Sequence, residues 1–453
     1  MSELSVEGVA DSLEPVRRRY LTGLFTSSLG GGMVSIVSSF LIYHQTHKAS
    51  AVALIIVCSN LPALVLAPIA TKLAQRWGGP RLYVYVWAPF YLFQLIPFVL
   101  GLLGYLNAVT LLAWYLFQGF VSGLGTPSQG LVRTELSPPN KASEFNGAAT
   151  RATAMATMIG ILVGGAALTL VGPSWIYFFA FVSGVPLVLS VVPLMKASVV
   201  TVSGSKGLAQ FREVRRKNPE VRAAFRFALI IFVLSGYAVT LPALASTIGK
   251  NPIILSLLQA AGVFGGLFVV VSVRYIHRRT TWLKVQRACV AIVGAAIVYL
   301  GWVAFQSHPP YWYLITAVVA IIPLGFGLNL DSAILNAAVQ VAAPAEARSS
   351  VLTAYALIPM IVLPVSEVLI GGVADLTSDA LALFVVGGIT VLLVVLPRHA
   401  SVRVAFTGID DEHIFPESDL DSTFTIEKIE DAGQTIADQV LGPEIPNREE
   451  AER

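Results

Sequence analysis

Long apolar runs alternate with short polar punctuation along most of this chain. Stripped of their polar ends, twelve stretches between Tyr20 and Pro397 each come close to the roughly 20 residues an α-helix needs to cross a hydrocarbon core. The expected spans are 20–43, 50–71, 82–104, 108–132, 145–171, 174–195, 225–247, 252–274, 282–305, 311–341, 349–373 and 379–397. Several contain residues that would break a soluble helix, among them Gly30-Gly31-Gly32, Pro62, Pro68, Pro242, Pro323, Pro359 and Pro364. Packed neighbours re-satisfy the backbone inside a bilayer, so such residues predict kinked helices. The pattern predicts an all-α membrane protein of twelve transmembrane helices in two pseudo-symmetric six-helix bundles.

Composition strengthens this picture and removes a class of functions. Of 453 residues, 55% are hydrophobic and only 13% charged, against about 25% charged in soluble proteins. Almost no length remains for a soluble catalytic domain, and no enzyme activity or cofactor is expected. Cys58 and Cys289 fall in separate apolar runs and read as packing residues. The six histidines lie near loops or in the tail, without metal-ligand spacing, and no Gly-Lys-Ser/Thr phosphate loop is present.

Charge then orients the chain. With the N-terminus inside, 28 of the 30 Lys and Arg residues fall on or beside the cytoplasmic face, leaving Lys48 and Lys250 outside. The positive-inside rule therefore predicts a multi-pass membrane protein with both termini cytoplasmic. Residues 1–19 place acids before Arg17-Arg18-Arg19, unlike a cleaved signal peptide, so the first apolar run is expected to stay as a helix. Five segments follow: a cytoplasmic start at 1–19, a bundle at 20–195, a basic linker at 196–224, a second bundle at 225–397 and a tail at 398–453. The linker stretch 208–221 has the pattern of a basic amphipathic helix lying on anionic lipid. Residues 410–453 hold 14 of the 27 acids and three bases, so the tail is expected to be largely disordered, with a marginal helix at 422–440.

The two bundles also repeat in sequence. Gln118-Gly119-Phe120 matches Leu324-Gly325-Phe326, and Pro138 matches Pro344, both at an offset of 206 (325 minus 119, 344 minus 138). Gly164-Gly165 matches Gly371-Gly372 at 207 (371 minus 164). Repeated halves of this kind are a transporter architecture, with substrate held between them near mid-membrane.

These motifs resemble the major facilitator superfamily, in particular its bacterial branch of macrolide efflux pumps and catecholate siderophore exporters. The stretch 324–355 followed by 363–375 resembles that branch's Gln, Pro, Arg and Gly-Ala-Asp pattern at Gln340, Pro344, Arg348 and Gly372 to Asp375. In the loop after the second span, Arg76, Gly78 and Arg81 match the superfamily's cytoplasmic latch, whereas Gln75 stands where its Asp is usual. The fifth span keeps the helix-packing glycines Gly160, Gly164 and Gly165, with Ile161 where exporters often carry proline. Tyr115 occupies the place of the arginine found in proton-coupled drug pumps. The resemblance implies a major facilitator fold, monomeric, exporting a small amphiphilic molecule such as a drug, antibiotic or siderophore, with protons as the coupling ion.

Charges inside the spans are the candidates for mechanism, because they are costly in hydrocarbon unless they face a cavity or a partner. Asp331 leads, in a polar run with Asn329, Ser332 and Asn336 on a helix that lines the central cavity in the family. Glu367, toward the outer end of the eleventh span, is second. Arg151 either answers one of them or snorkels to the headgroups, and Tyr115 completes the substrate or proton path. Arg133 and Glu135 are expected to pair across a cytoplasmic gate, for which Arg76, Gly78 and Arg81 are the further candidates, while Gly371 and Gly372 are expected to pack helices. The expected partners are a small-molecule substrate, protons and membrane lipid, not nucleic acid. Uptake or lipid flipping by the same fold, and a membrane sensor or scaffold signalling through the acidic tail, stand as rival readings.

Overall fold

In a bilayer every backbone N–H and C=O must be satisfied within the chain, and continuous helices do this for apolar runs. The computed structural model describes residues 13–137, 142–196, 207–277, 282–306, 309–344 and 347–395, and among these each expected span is a helix. They are α1 (Glu14–Thr46), α2 (Ala49–Trp77), α3 (Gly79–Leu92 continued by Leu95–Leu102), α4 (Ala108–Leu136), α5 (Ala142–Leu170) and α6 (Pro173–Val191). In the second half follow α7 (Pro219–Leu234, a 3-10 turn Ser235–Thr240, then Leu241–Ile248), α8 (Pro252–His277), α9 (Trp282–Phe305), α10 (Trp312–Ala342), α11 (Arg348–Leu376) and α12 (Asp379–Val395). Eleven are long and apolar enough to cross a membrane, and α12 is a shorter apolar helix over Asp379–Leu393. The acidic tail, with its expected helix at 422–440, lies outside the described residues.

Several helices overrun their apolar cores at the basic face. Helix α1 begins at Glu14 and α4 ends at Leu136. There the buried Arg17 donates from Nε to the Leu136 carbonyl at 2.7 Å, a cation placed on the electronegative end of a helix. Helix α7 starts at Pro219, a residue pre-set for the first helical turn. Residues 219–224, assigned to the linker from sequence, are therefore part of the seventh helix, whose apolar span runs over Val221–Ile248.

Prolines explain the two interrupted helices. Pro97 has no N–H for the Phe93 carbonyl one turn back, and Trp114 of α4 donates its indole N–H to that oxygen at 3.2 Å. Pro242 likewise withdraws from Ala238, whose carbonyl is taken by the Leu241 N–H as the 3-10 turn ends.

The linker helix, Gly207–Lys217, docks its apolar face on protein. Phe211 is buried against Phe225 of α7, their rings 4.9 Å apart, within a cluster that includes Tyr355 and Ile358 of α11. Arg212, Arg215, Arg216 and Lys217 remain exposed. Lys217 pairs with Glu213 at 2.6 Å, and that ammonium holds the Glu213 carboxyl below its usual range.

The sequence repeat has a packing counterpart. A Cβ at Gly119 would sit 2.4 Å from the Cys58 carbonyl oxygen of α2, and one at Gly325 would sit 2.0 Å from the Gly262 carbonyl oxygen of α8. The fourth and tenth helices thus press glycine backbone onto the second and eighth. Gly160 and Gly164 bring α5 onto α1, where added Cβ atoms would meet Leu29 O at 2.1 Å and Met33 Cα at 2.8 Å.

At the face opposite the basic linker the two halves touch through a second matched pair. Gly165 of α5 lies against Ser256 at the start of α8, and Gly371 of α11 lies against Ser50 at the start of α2. Both pairs share the offset of 206 (371 minus 165, 256 minus 50). Gly371 therefore corresponds to Gly165 rather than Gly164. Gly372, expected to pack, has nothing within 4 Å of a Cβ built on it.

Candidate functional site

Helices α1 to α6 line a cavity of about 440 Å³, and the described residues on its wall all come from this first half. The size is within the range of small-molecule sites, about 300 to 1,000 Å³. Small residues on α1, from Ser27 through Gly31 to Ser35, leave its floor open, and a Cβ at Gly31 would meet nothing within 4 Å. Opposite stand the rings of Trp87, Phe90 and Tyr91 on α3 and Tyr115 on α4. Tyr91 is held by a 2.5 Å hydrogen bond to Ser27. Beside Tyr115, Ser38 and Tyr177 share a hydrogen bond of 2.9 Å.

Four polar groups on this wall have buried atoms without hydrogen-bond partners: Gln94 Oε1, Gln118 Oε1, Thr153 Oγ1 and Arg133 Nε. An unmet buried donor or acceptor costs about 1 to 3 kcal/mol, and native interiors keep few of them. Four converging on one cavity form a surface suited to a polar ligand. Arg133 belongs to this wall, beside the Tyr20 hydroxyl. No ion pair joins it to Glu135 among the described residues; two residues apart on a helix, their side chains point about 200° apart. Both are half-buried.

The polar run of α10 divides by the same geometry. Asn329, Asn336 and Gln340 are exposed, Asn329 donating to Gly325 O at 2.8 Å and Gln340 to Asn336 Oδ1 at 3.1 Å. Asp331 faces the other way and is 2% exposed. It lies behind the helix, in a void of about 10 Å³ shared with Cys289 of α9, Ile231 of α7 and Thr390 of α12, room for about one water. The Gln286 amide stands beside the carboxylate and Ser332 beside the Tyr355 hydroxyl of α11, yet none of the buried oxygens of Asp331 and Tyr355, nor the Gln286 amide, closes a hydrogen bond of normal geometry. The expectation that Asp331 lines the large cavity is thus replaced by a separate buried polar cluster in the second half.

Glu367 is 5% exposed, on α11 beside the break in α7. There Gly236 packs on Ser366 and Glu367, and the Ser366 hydroxyl donates to the Val233 carbonyl. Arg151 is half-buried on α5 and does not line the cavity. At the basic face Gly78 turns the chain with φ of +81°, a conformation that favours glycine. Arg81 donates to the Met195 carbonyl at 3.1 Å, within its own half, and Arg76 is exposed. Arg81 therefore ties α3 to the end of the same bundle, while Gly165 on Ser256 and Gly371 on Ser50 join the halves at the opposite face. Gln94, Gln129 and Thr153 escaped sequence reading, which weighed charges within spans; uncharged amides inside apolar runs were the available signal.

Twelve helices, two related halves and a polar cavity bounded by six of them define a membrane transporter rather than an enzyme. Residues 20–366 match the model of the Major Facilitator Superfamily, and the chain belongs to that family. Its fold is similar to that of a bacterial homologue of the iron transporter ferroportin in an inward-facing state, with TM-score 0.63 and 16% identity over 87% of this chain and 98% of that one. It is also similar to the nucleoside transporter NupG, with TM-score 0.66 and 11% identity over 86% and 99%. An auto-inhibited POT family peptide transporter aligns with TM-score 0.62 and 14% identity over 87% and 97%. No curated protein matches the chain in sequence.

Proposed function

We propose that this chain exports a small amphiphilic organic molecule by alternating access, driven by a proton gradient across a bacterial inner membrane. The observation that carries the reading is the cavity of α1 to α6, with its four aromatic rings and four unpartnered polar groups. The bundles 20–195 and 225–397 are the rocking bodies, and the asymmetry of Lys and Arg sets the linker face inside. Outward direction rests on the likeness of residues 324–375 to bacterial exporters. Proton coupling is assigned to Asp331, a buried carboxylate whose charged form lacks partners and whose neutral form suits its surroundings. Glu367 is the second carboxylate on that path, and the protein works as a monomer in contact with lipid.

Inside-out membrane vesicles with an imposed pH gradient and a panel of labelled amphiphiles test this. The wild-type chain is expected to accumulate a panel member only when the gradient is present. Gly31→Phe fills the cavity and abolishes accumulation, and Asp331→Asn removes the dependence on the gradient. Accumulation by Gly31→Phe at the wild-type rate would move the transport site elsewhere. Gradient-dependent transport by Asp331→Asn would remove the carboxylate from coupling. Uptake in right-side-out vesicles under the same gradient would reverse the direction.

A further inference from the structure

The cavity also constrains the charge of what it holds. Among the described residues Arg133 is the single charged residue on its wall, and its Nε is buried without a partner. Among the described residues no carboxylate lines the cavity, and Asp331 sits in its own void in the second half. A half-buried cation with a buried, open Nε–H favours a negative group within reach, whereas a cationic ligand would meet a like charge with no acid on the wall to offset it. Around it, Gln94 and Gln118 present unpartnered carbonyl oxygens that require donors, and Trp87 and Tyr115 offer ring faces.

We propose that the cavity takes an aromatic organic anion that carries its own hydrogen-bond donor, with Arg133 as its charge partner. The inference rests on the transport reading above and narrows its substrate class. Cationic amphiphiles are excluded from this site. The ring stacks within the aromatic wall, the donor meets the glutamine carbonyls, and the anionic group meets the Arg133 guanidinium.

Three ligands sharing one ring system separate the terms: indole-3-acetate is an anion, indole-3-acetamide is neutral and tryptamine is a cation. Calorimetric titration into the full-length protein in lipid nanodiscs is expected to rank them in that order, acetate over tryptamine by about tenfold or more. Arg133→Gln should bring acetate down to the level of acetamide and leave acetamide within about twofold, whereas Arg133→Lys should keep the order. Tryptamine binding as tightly as acetate overturns the proposal. So does an acetate preference that survives Arg133→Gln, equal loss of all ligands in that variant, or absence of binding by all three. Vesicle transport by Gly31→Phe keeps the two readings apart. If Gly31→Phe stops transport while the charge order fails, the cavity stands as the transport site and only its anion preference is lost. If Gly31→Phe transports normally while the charge order holds, the cavity binds anions without serving transport.

Discussion

Asp375 of α11 caps the first turn of α2 from the other half of the molecule: its carboxylate accepts the Ala49 N–H at 2.8 Å. It also accepts the Ser50 N–H at 3.3 Å and the Ser50 hydroxyl. A helix N-terminus carries unmet donors and partial positive charge, so an acid there is stabilising. The cap lies one turn from the packing of Gly371 on Ser50, and together they hold the face opposite the linker closed.

Asp375→Ala should loosen that face. Loss of a cap costs about 0.5 to 2 kcal/mol, and a loss near 1 kcal/mol raises the population open at that side by about fivefold. Pulsed electron paramagnetic resonance between spin labels at Lys48 and Lys250, both exposed, reads it directly. An unchanged distance distribution would show that the cap does not help hold the halves together.

Gly371 and Gly372 should respond oppositely to the same change. A Cβ at Gly371 would lie 2.8 Å from the Ser50 backbone nitrogen, and one at Gly372 meets nothing. Gly371→Ala is therefore expected to shift the same label distances outward, and Gly372→Ala to leave them in place. Matching behaviour in the two variants would contradict the packing described.

Gly325→Ala should destabilise the fold itself. Its methyl would fall 2.0 Å from the Gly262 carbonyl oxygen, and overpacking of this kind costs about 1 to 3 kcal/mol. Thermal unfolding in detergent should show a lower Tm, whereas Gly388→Ala, at a glycine with no neighbour within 4 Å, should not. A Gly325→Ala protein as stable as wild type would mean that α8 and α10 pack less closely than this.

Asp331→Asn should unfold at a higher temperature than wild type at neutral pH. Whenever the wild-type carboxyl ionises it becomes a buried charge whose oxygens close no hydrogen bond of normal geometry, a destabilising state that asparagine never enters. A fall in Tm would reveal a partner for the carboxylate.

Twelve helices, their near boundaries and the duplicated halves were legible in the chain because burying polar backbone in hydrocarbon leaves few alternatives to a helix. The repeat was visible in Gly119 and Gly325, 206 residues apart (325 minus 119), but that they press α4 onto α2 and α10 onto α8 was given by the packing. Side-chain direction required the three-dimensional structure. Asp331 and Asn329 look like one polar run in sequence, yet two positions on a helix differ by about 200°, which buries one beside a small void and leaves the other exposed. Arg133 read as a gate residue for the same reason, since proximity along the chain to Glu135 carries no promise of a pair. The wall formed by Gln94, Gln118, Thr153 and Arg133 gathers residues from three helices, and only tertiary packing decides which faces of separate helices share one space.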